Sequence, residues 1–207
     1  MARLGGSDEE LVVRVGLGDL ESLGELFLRH HHQILNFVHR MVGNQNAAED
    51  ITQQVFVRVL QYADKFKPEQ SFRPWLFTVA ANLCRDHFTK NGRRPTQELA
   101  VDPPGDLEDP LDQLVSAEEC ERVKQAVDEL PEIYRSIIIL RVYQQLPYAE
   151  IAAVLDILEG TARCRMEYAL NRLRKALLNP RERESVDQTK TSEQKTSQSK
   201  AETDASE

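Results

Sequence analysis

The sequence predicts an all-α chain folded as two small helical domains, and three observations carry that expectation. Apolar residues recur at helical spacing through most of 8–92 and again through about 116–178. Helix-start signals of capping-box form, Ser7 to Glu10 and Ser116 to Glu119, stand ahead of each stretch. Between the two, over about 93–115, the period stops and Pro95, Pro103, Pro104 and Pro110 arrive among acidic residues, the pattern of a flexible linker.

Ser7 opens a short helix to about Gly16, so 1–18 reads as an N-terminal extension. Asp19 starts a longer amphipathic helix in which Leu23, Leu26, Phe27, Ile34, Phe37, Val38 and Met41 keep one face until Gly43 ends it. A third helix runs from about Asn46 to Ala63, with Ile51, Val55, Phe56, Val59 and Leu60 on the inner stripe. Its polar face carries Asp50, Gln53, Gln54 and Arg58. Ser71 is placed to cap a fourth helix that tolerates Pro74 in its first turn, with Trp75, Leu76, Val79, Leu83 and Phe88 inward. These elements make the first domain, 19–92.

The second domain, 116–178, starts with a helix through Val123, Ala126, Val127 and Leu130 that Pro131 interrupts. A helix through Ile133, Ile137, Ile138, Leu140 and Val142 follows. Pro147 stands where a first helical position is expected, opening the short helix YAEIAAVLD. After Asp156, Ile157 and Leu158 a last helix spans about Glu159 to Leu178. Beyond it, 179–207 is rich in Ser, Thr, Gln, Lys and Glu; such a tail cannot bury enough apolar surface to offset its ordering entropy and reads as disordered.

A net charge of −8 argues at first against nucleic acid, but the acid is concentrated in the connectors. Residues 91–115 hold two basic and six acidic side chains, whereas 85–94 hold four basic against one acidic and 159–178 five against two. The last two are candidate electrostatic footprints for nucleic acid. No Gly-rich phosphate loop, H-E-x-x-H pair or G-x-S-x-G elbow is present, so a non-enzymatic chain is expected. Cys84, Cys120 and Cys164 lie far apart without a C-x-x-C pair and read as reduced thiols. His30, His31 and His32 are consecutive on a helix, where side chains point about 100° apart and cannot converge on one metal ion. With no signal-peptide core and no long apolar run, a cytoplasmic protein without membrane insertion is expected.

The second basic segment has the proportions of a helix-turn-helix: a short helix with small Ala152 and Ala153, a three-residue turn, and a longer basic helix suited to a major groove. Arg163 and Arg165 lie in its first turns, within reach of base edges or phosphates; Arg172, Arg174 and Lys175 suit phosphates or solvation. An ordinary antiparallel helix pair with a solvated basic face would leave the same spacing. In the first domain, a loop with Lys65, Lys67 and Pro68 leads into a helix offering Asn82, Arg85, Asp86 and Lys90, followed by Arg93 and Arg94, an arrangement that suits single-stranded DNA. A core helix with normal surface charges is the alternative.

Three blocks, AAEDITQQVFVRVLQYADKF, SFRPWLFTVAANLCRDHF and AVDELPEIYRSIIILRVYQQLPYAEIAAVLDILEGTARCR, in that order around a Pro-rich acidic gap, resemble regions 2 and 4 of the extracytoplasmic-function sigma factors over about 19–178. The resemblance implies that Asp50, Gln53, Gln54 and Arg58 bind core RNA polymerase. It implies that Lys65, Lys67, Ser71, Asn82, Arg85, Asp86, Lys90, Arg93 and Arg94 recognise and open the minus-10 element, capturing a flipped base. Arg141, Thr161, Arg163, Cys164, Arg165, Glu167, Tyr168 and Arg172 would read the minus-35 duplex, and the linker would thread towards the RNA path. An anti-sigma factor is an implied partner; no cofactor is.

The chain departs from the family pattern in places. Glu167, Tyr168 and Leu170 stand where basic or aromatic groups are frequent, and a carboxylate facing phosphate is repulsive unless it accepts from a cytosine amino group. Gln54 replaces a frequent Glu, and the tail after Leu178 has no counterpart in the minimal family. Two other readings fit the residues alone: a DNA-binding regulator that never joins polymerase, and a helical adaptor that binds only protein.

Overall fold

A computed structural model describes residues 5–90 and 117–178. All regular structure among the described residues is helical. The expected linker, the expected tail, Ser116, Arg93 and Arg94 lie outside the described residues.

α1 (Asp8–Gly16) starts with the full capping box: Ser7 Oγ accepts from the Glu10 N–H and the Glu10 side chain accepts from the Ser7 N–H. α1 is no loose extension, because Leu11, Val12 and Val15 are buried in the same core as α2 to α4. α2 (Leu20–Val42) is N-capped by Asp19, whose carboxylate accepts from the Glu21 and Ser22 N–H groups, and ends at Gly43 in the left-handed region (φ 73°). α3 (Gln45–Tyr62) is capped by Asn44 and runs into a 3₁₀ turn at Ala63–Lys65.

α4 (Phe72–Lys90) begins directly after Ser71, with a contact that the sequence did not show. The Phe72 N–H donates to Glu9 Oε1 of α1 at 2.9 Å, so the acceptor comes from a distant residue in sequence. That bond, reinforced by the backbone N–H of Glu9 itself, holds the Glu9 carboxyl below the usual glutamate range. A carboxyl whose folded pKa is depressed contributes stability above its unfolded pKa and loses it as pH falls through the folded value. Replacing Glu9 with Gln is therefore expected to flatten part of the acid limb of the stability curve. Urea melts of both proteins between pH 7 and pH 3 read this directly; an identical pH dependence in the two would rule the contact out as a contributor.

Phe37 lies edge-on to Phe77 at 5.3 Å at the centre of this bundle. Only Leu76 of the five residues expected inward on α4 is fully buried; Trp75, Val79, Leu83 and Phe88 are partly buried. The fully buried stripe of α4 is Phe72, Leu76, Phe77, Ala80, Ala81 and Cys84.

In the second half, α5 (Ala117–Asp128) is followed by α6 (Glu132–Ile138), which passes into a π turn over Ile139–Tyr143. The Gln144 N–H closes that turn on Ile139 O at 3.1 Å, and Gln145 sits at φ 54°. Ile133 and Val142, expected inward, are exposed instead, since the core stripe is Ile137 to Leu140. α7 (Tyr148–Leu155) has Pro147 at its cap rather than its first helical position. α8 (Glu159–Leu177) follows Asp156 in the left-handed region (φ 53°), Ile157 and Leu158, the three-residue turn of the expected helix-turn-helix. The small buried residues there are Ala152, Ala162 and Ala169, whereas Ala153 is exposed.

The sequence reads as two tethered modules; in the structure they pack against each other, α4 lying on α7. Arginines donating to backbone carbonyls bind the halves. Arg135, buried in α6, donates to Met41 O at the end of α2 at 2.6 Å and to Asp128 O and Leu130 O at 2.6 and 3.0 Å. Arg73 of α4 donates to Gln144 O at 2.7 Å, and the Arg40 guanidinium stands 3.8 Å from the Tyr143 ring centroid. Glu132 lies beside Cys84 and Arg85, and burial raises its carboxyl pKa while Arg85 partly opposes the shift.

Candidate nucleic-acid interface

Three helical faces stay open when the core has formed. On α3, Asp50, Gln53, Gln54 and Arg58 are all exposed, at the spacing that puts them on one face. Val57 (52% exposed) stands in the middle of the same strip and Leu60 (42%) at its edge beside Gln53, so apolar surface lies among the polar groups. Sequence reasoning placed Leu60 inward and passed over Val57; counting positions from Gln53 and Gln54 would have found both. Phe27 of α2, at the border of the strip, packs edge-on against Phe56 at 4.8 Å. Arg58 donates to the Tyr62 hydroxyl at 3.1 Å, and Lys65 Nζ is 4.9 Å from the same ring.

The loop after Phe66 is held from beneath. Phe66 is buried edge-on to Trp75 at 5.3 Å and near Phe72 at 6.1 Å. Lys67 and Ser71 are exposed above that aromatic base. Further along α4, Asn82, Arg85, Asp86 and Lys90 are exposed, and Arg85 Nη1 donates to Asn82 Oδ1 at 2.9 Å, which fixes the guanidinium along the helix. The packing of α4 on α7 leaves this side uncovered.

α8 turns Ala162, Met166 and Ala169 inward. At about 100° per residue its outward centre is Cys164, Glu167 and Asn171, with Arg163 and Arg174 along one flank and Arg165 and Arg172 along the other. Arg163, Cys164, Glu167 and Arg172 are exposed; Thr161 and Arg165 are half-buried. Tyr168 is stacked on Tyr134 of α6 at 4.4 Å, so its ring is committed to its own fold although 46% exposed. Arg163 pairs with Glu159 at 2.5 Å, an exposed pair of little stability (~0–1 kcal/mol) that a phosphate can displace. Arg141, exposed at the π turn, donates to Leu146 O at 3.0 Å. Arg141 and Arg163 both lie over the ring of Tyr148, at 5.1 and 4.7 Å.

The histidine triplet does not converge. His30 is buried with Nε2 2.7 Å from Asp8 Oδ2, His31 packs on Phe27 and His32 is exposed. Among the described residues no group of three or more His, Cys, Asp or Glu is placed to hold a metal ion. No described helix is long and apolar enough to cross a membrane.

Comparison with known proteins places these faces in a lineage. A sigma-70 region 2 model matches residues 26–94, and a sigma-70 region 4 model matches 120–177. The RNA polymerase sigma-H factor of Pseudomonas aeruginosa is 32% identical over 82% of this chain and 93% of its own length. The chain belongs to the extracytoplasmic-function sigma-70 factors. The ECF sigma-E factor of Escherichia coli is 30% identical over 77% of this chain and 88% of its own, and the ECF factor SigW of Bacillus subtilis 30% over 80% and 94%. Sigma factors of this family direct transcription from promoters and are not enzymes. Among solved structures, CnrH in complex with the cytosolic domain of CnrY matches with a TM-score of 0.62 at 23% identity, over 82% of this chain and 96% of that one. RpoE of Bartonella quintana, in complex with the anti-sigma factor NepR, matches with a TM-score of 0.63 at 24% identity, over 74% and 95%. At that identity the two likenesses establish the fold alone.

Proposed function

We propose that this sigma factor docks on core RNA polymerase through the α3 strip, opens the minus-10 element with α4 and the loop before it, and reads the minus-35 duplex with α8. The reading is supported above all by one observation: three exposed polar faces, on α3, α4 and α8, remain open in the order of the matched regions 2 and 4. Each has chemistry suited to its task. The α3 strip, with Val57 and Leu60 set among Gln53, Gln54 and Arg58, suits a protein partner, because apolar surface beside polar groups sheds water on docking while the polar groups fix register. The α4 side, with Asn82, Arg85 and Lys90 beside a loop based on aromatic rings, suits a strand whose bases are unstacked. The α8 arginines flank a groove-facing centre, the geometry of a recognition helix on paired DNA.

Within this reading Arg93 and Arg94 extend the minus-10 footprint, residues 93–115 join the two regions, and the protein acts in the cytoplasm, where its polymerase works. Glu167 at the outward centre of α8 accepts from a cytosine amino group, while Tyr168 supports the helix. An anti-sigma factor restrains the protein; both solved neighbours are complexes with a second protein, named an anti-sigma factor in the Bartonella case.

Reconstitution tests the reading. Purified chain added to sigma-free core polymerase with genomic DNA should give transcripts that start at a small set of positions, and Val57→Asp with Leu60→Asp should abolish binding to core. Tight duplex binding by a chain that never joins core would favour the DNA-binding regulator instead.

A further inference from the structure

Tyr148 is the one aromatic residue among the described ring contacts that carries two arginines from two different elements of the second half. Arg141 comes from the π turn and Arg163 from the second turn of α8, and Tyr148 stands at the first position of α7, half-buried against the core. Each guanidinium has a further tether: Arg141 donates to Leu146 O at 3.0 Å, and Arg163 to Glu159 Oε1. Two like charges brought to one point repel unless something between them is electron-rich, and the face of a tyrosine ring is. A free arginine also loses rotamer entropy when it binds. Here that ordering is largely complete before any ligand arrives, and each planar fork keeps most of its five donors for a second partner.

We propose that Tyr148 is a positioning residue that holds Arg141 and Arg163 as a clamp on a single DNA phosphate at the edge of the groove entered by α8. The inference rests on the reading that α8 docks on paired DNA and adds to it a division of labour. Arg163 lies on a flank of α8, not at its outward centre, so the clamp sets register and angle while Cys164, Glu167 and Asn171 face the bases. The phosphate displaces Glu159, which holds Arg163 in a weak exposed pair, and takes its place on that guanidinium with Arg141 as a second donor.

The test uses the full chain and a fluorescent duplex of mixed sequence, about three helical turns long, titrated at several salt concentrations. Tyr148→Leu is expected to bind about fivefold more weakly, the loss of two exposed cation–π contacts, with the salt slope unchanged because both arginines still meet phosphate. Tyr148→Phe keeps the ring and should bind within about twofold of the native chain, and Tyr148→Trp at least as tightly. In a background already lacking both arginine side chains (Arg141→Ala, Arg163→Ala), Tyr148→Leu should cost nothing more, a result that a merely structural role would not produce. If Tyr148→Leu fails to fold, the Phe and Trp variants still decide. Binding as weak with Phe as with Leu, native binding by Leu, or an undiminished Leu effect in the arginine-free background would overturn the inference. Unchanged binding by the double arginine variant would overturn it as well; if charge reversal at Arg165 and Arg172 also left binding unchanged, the α8 reading on which it rests would fall with it.

Discussion

Truncating Arg135 to alanine will lower stability by about 3 to 5 kcal/mol and the melting temperature by about 10 °C. The side chain is 4% exposed and its guanidinium donates to three carbonyls, those of Met41, Asp128 and Leu130, at 2.6 to 3.0 Å. Removing it takes a donor from carbonyls at the end of α2 and at and beyond the end of α5, and a buried acceptor left unmet costs about 1 to 3 kcal/mol. Lysine should recover less than half of the loss, since a single ammonium cannot reach the three carbonyls as a planar fork does. Because the Met41 bond crosses between the halves, the variant should also melt less cooperatively, with separate transitions for tryptophan fluorescence, which reports Trp75 in the first half, and for helix content. Calorimetry and the two optical probes measure this. A melting point within about 2 °C of native would mean that the arginine adds nothing to the joint.

The second large effect is on promoter reading. Replacing Arg163 and Arg172 with glutamate reverses charge on both flanks of α8 and should reduce transcription from minus-35-dependent promoters about a hundredfold, at about 1 to 3 kcal/mol for each lost contact. Both side chains are exposed, so folding should be little affected. Core binding should be unchanged, because the α3 strip lies in the other half of the chain. The salt dependence of duplex binding should fall by about two phosphate contacts. Unaltered promoter use by this variant would remove α8 from DNA recognition.

Much of this was legible in the sequence. Helix positions followed from the apolar period and from local caps such as Ser7, Asp19 and Gly43, because those signals act over one turn. The polar faces of α3, α4 and α8 followed from the same period. What stayed hidden depends on atoms without sequence identity. Arg135 and Arg73 donate to backbone carbonyls of residues far along the chain, and any residue could offer those oxygens. The Phe72 N–H finds its acceptor in Glu9, far back along the chain, for a similar reason. Val142 lies about 140° round from Ile137 at the regular helical period of about 100° per residue, so it faces out although it belongs to the same apolar run. Tyr148, a lone aromatic at a helix start, sits in no periodic pattern, so nothing local marks it as the meeting point of two arginines.

The account stands or falls on whether the two halves meet melted and paired DNA while carried by one polymerase. Photo-crosslinking residues placed at 85 and 163 in the reconstituted holoenzyme on a mapped promoter measure that in one experiment. Position 85 should label the non-template strand inside the opened segment and position 163 the duplex upstream, both only when core is present. Labelling at 85 of fully paired DNA, or at 163 of no DNA at all, would contradict it.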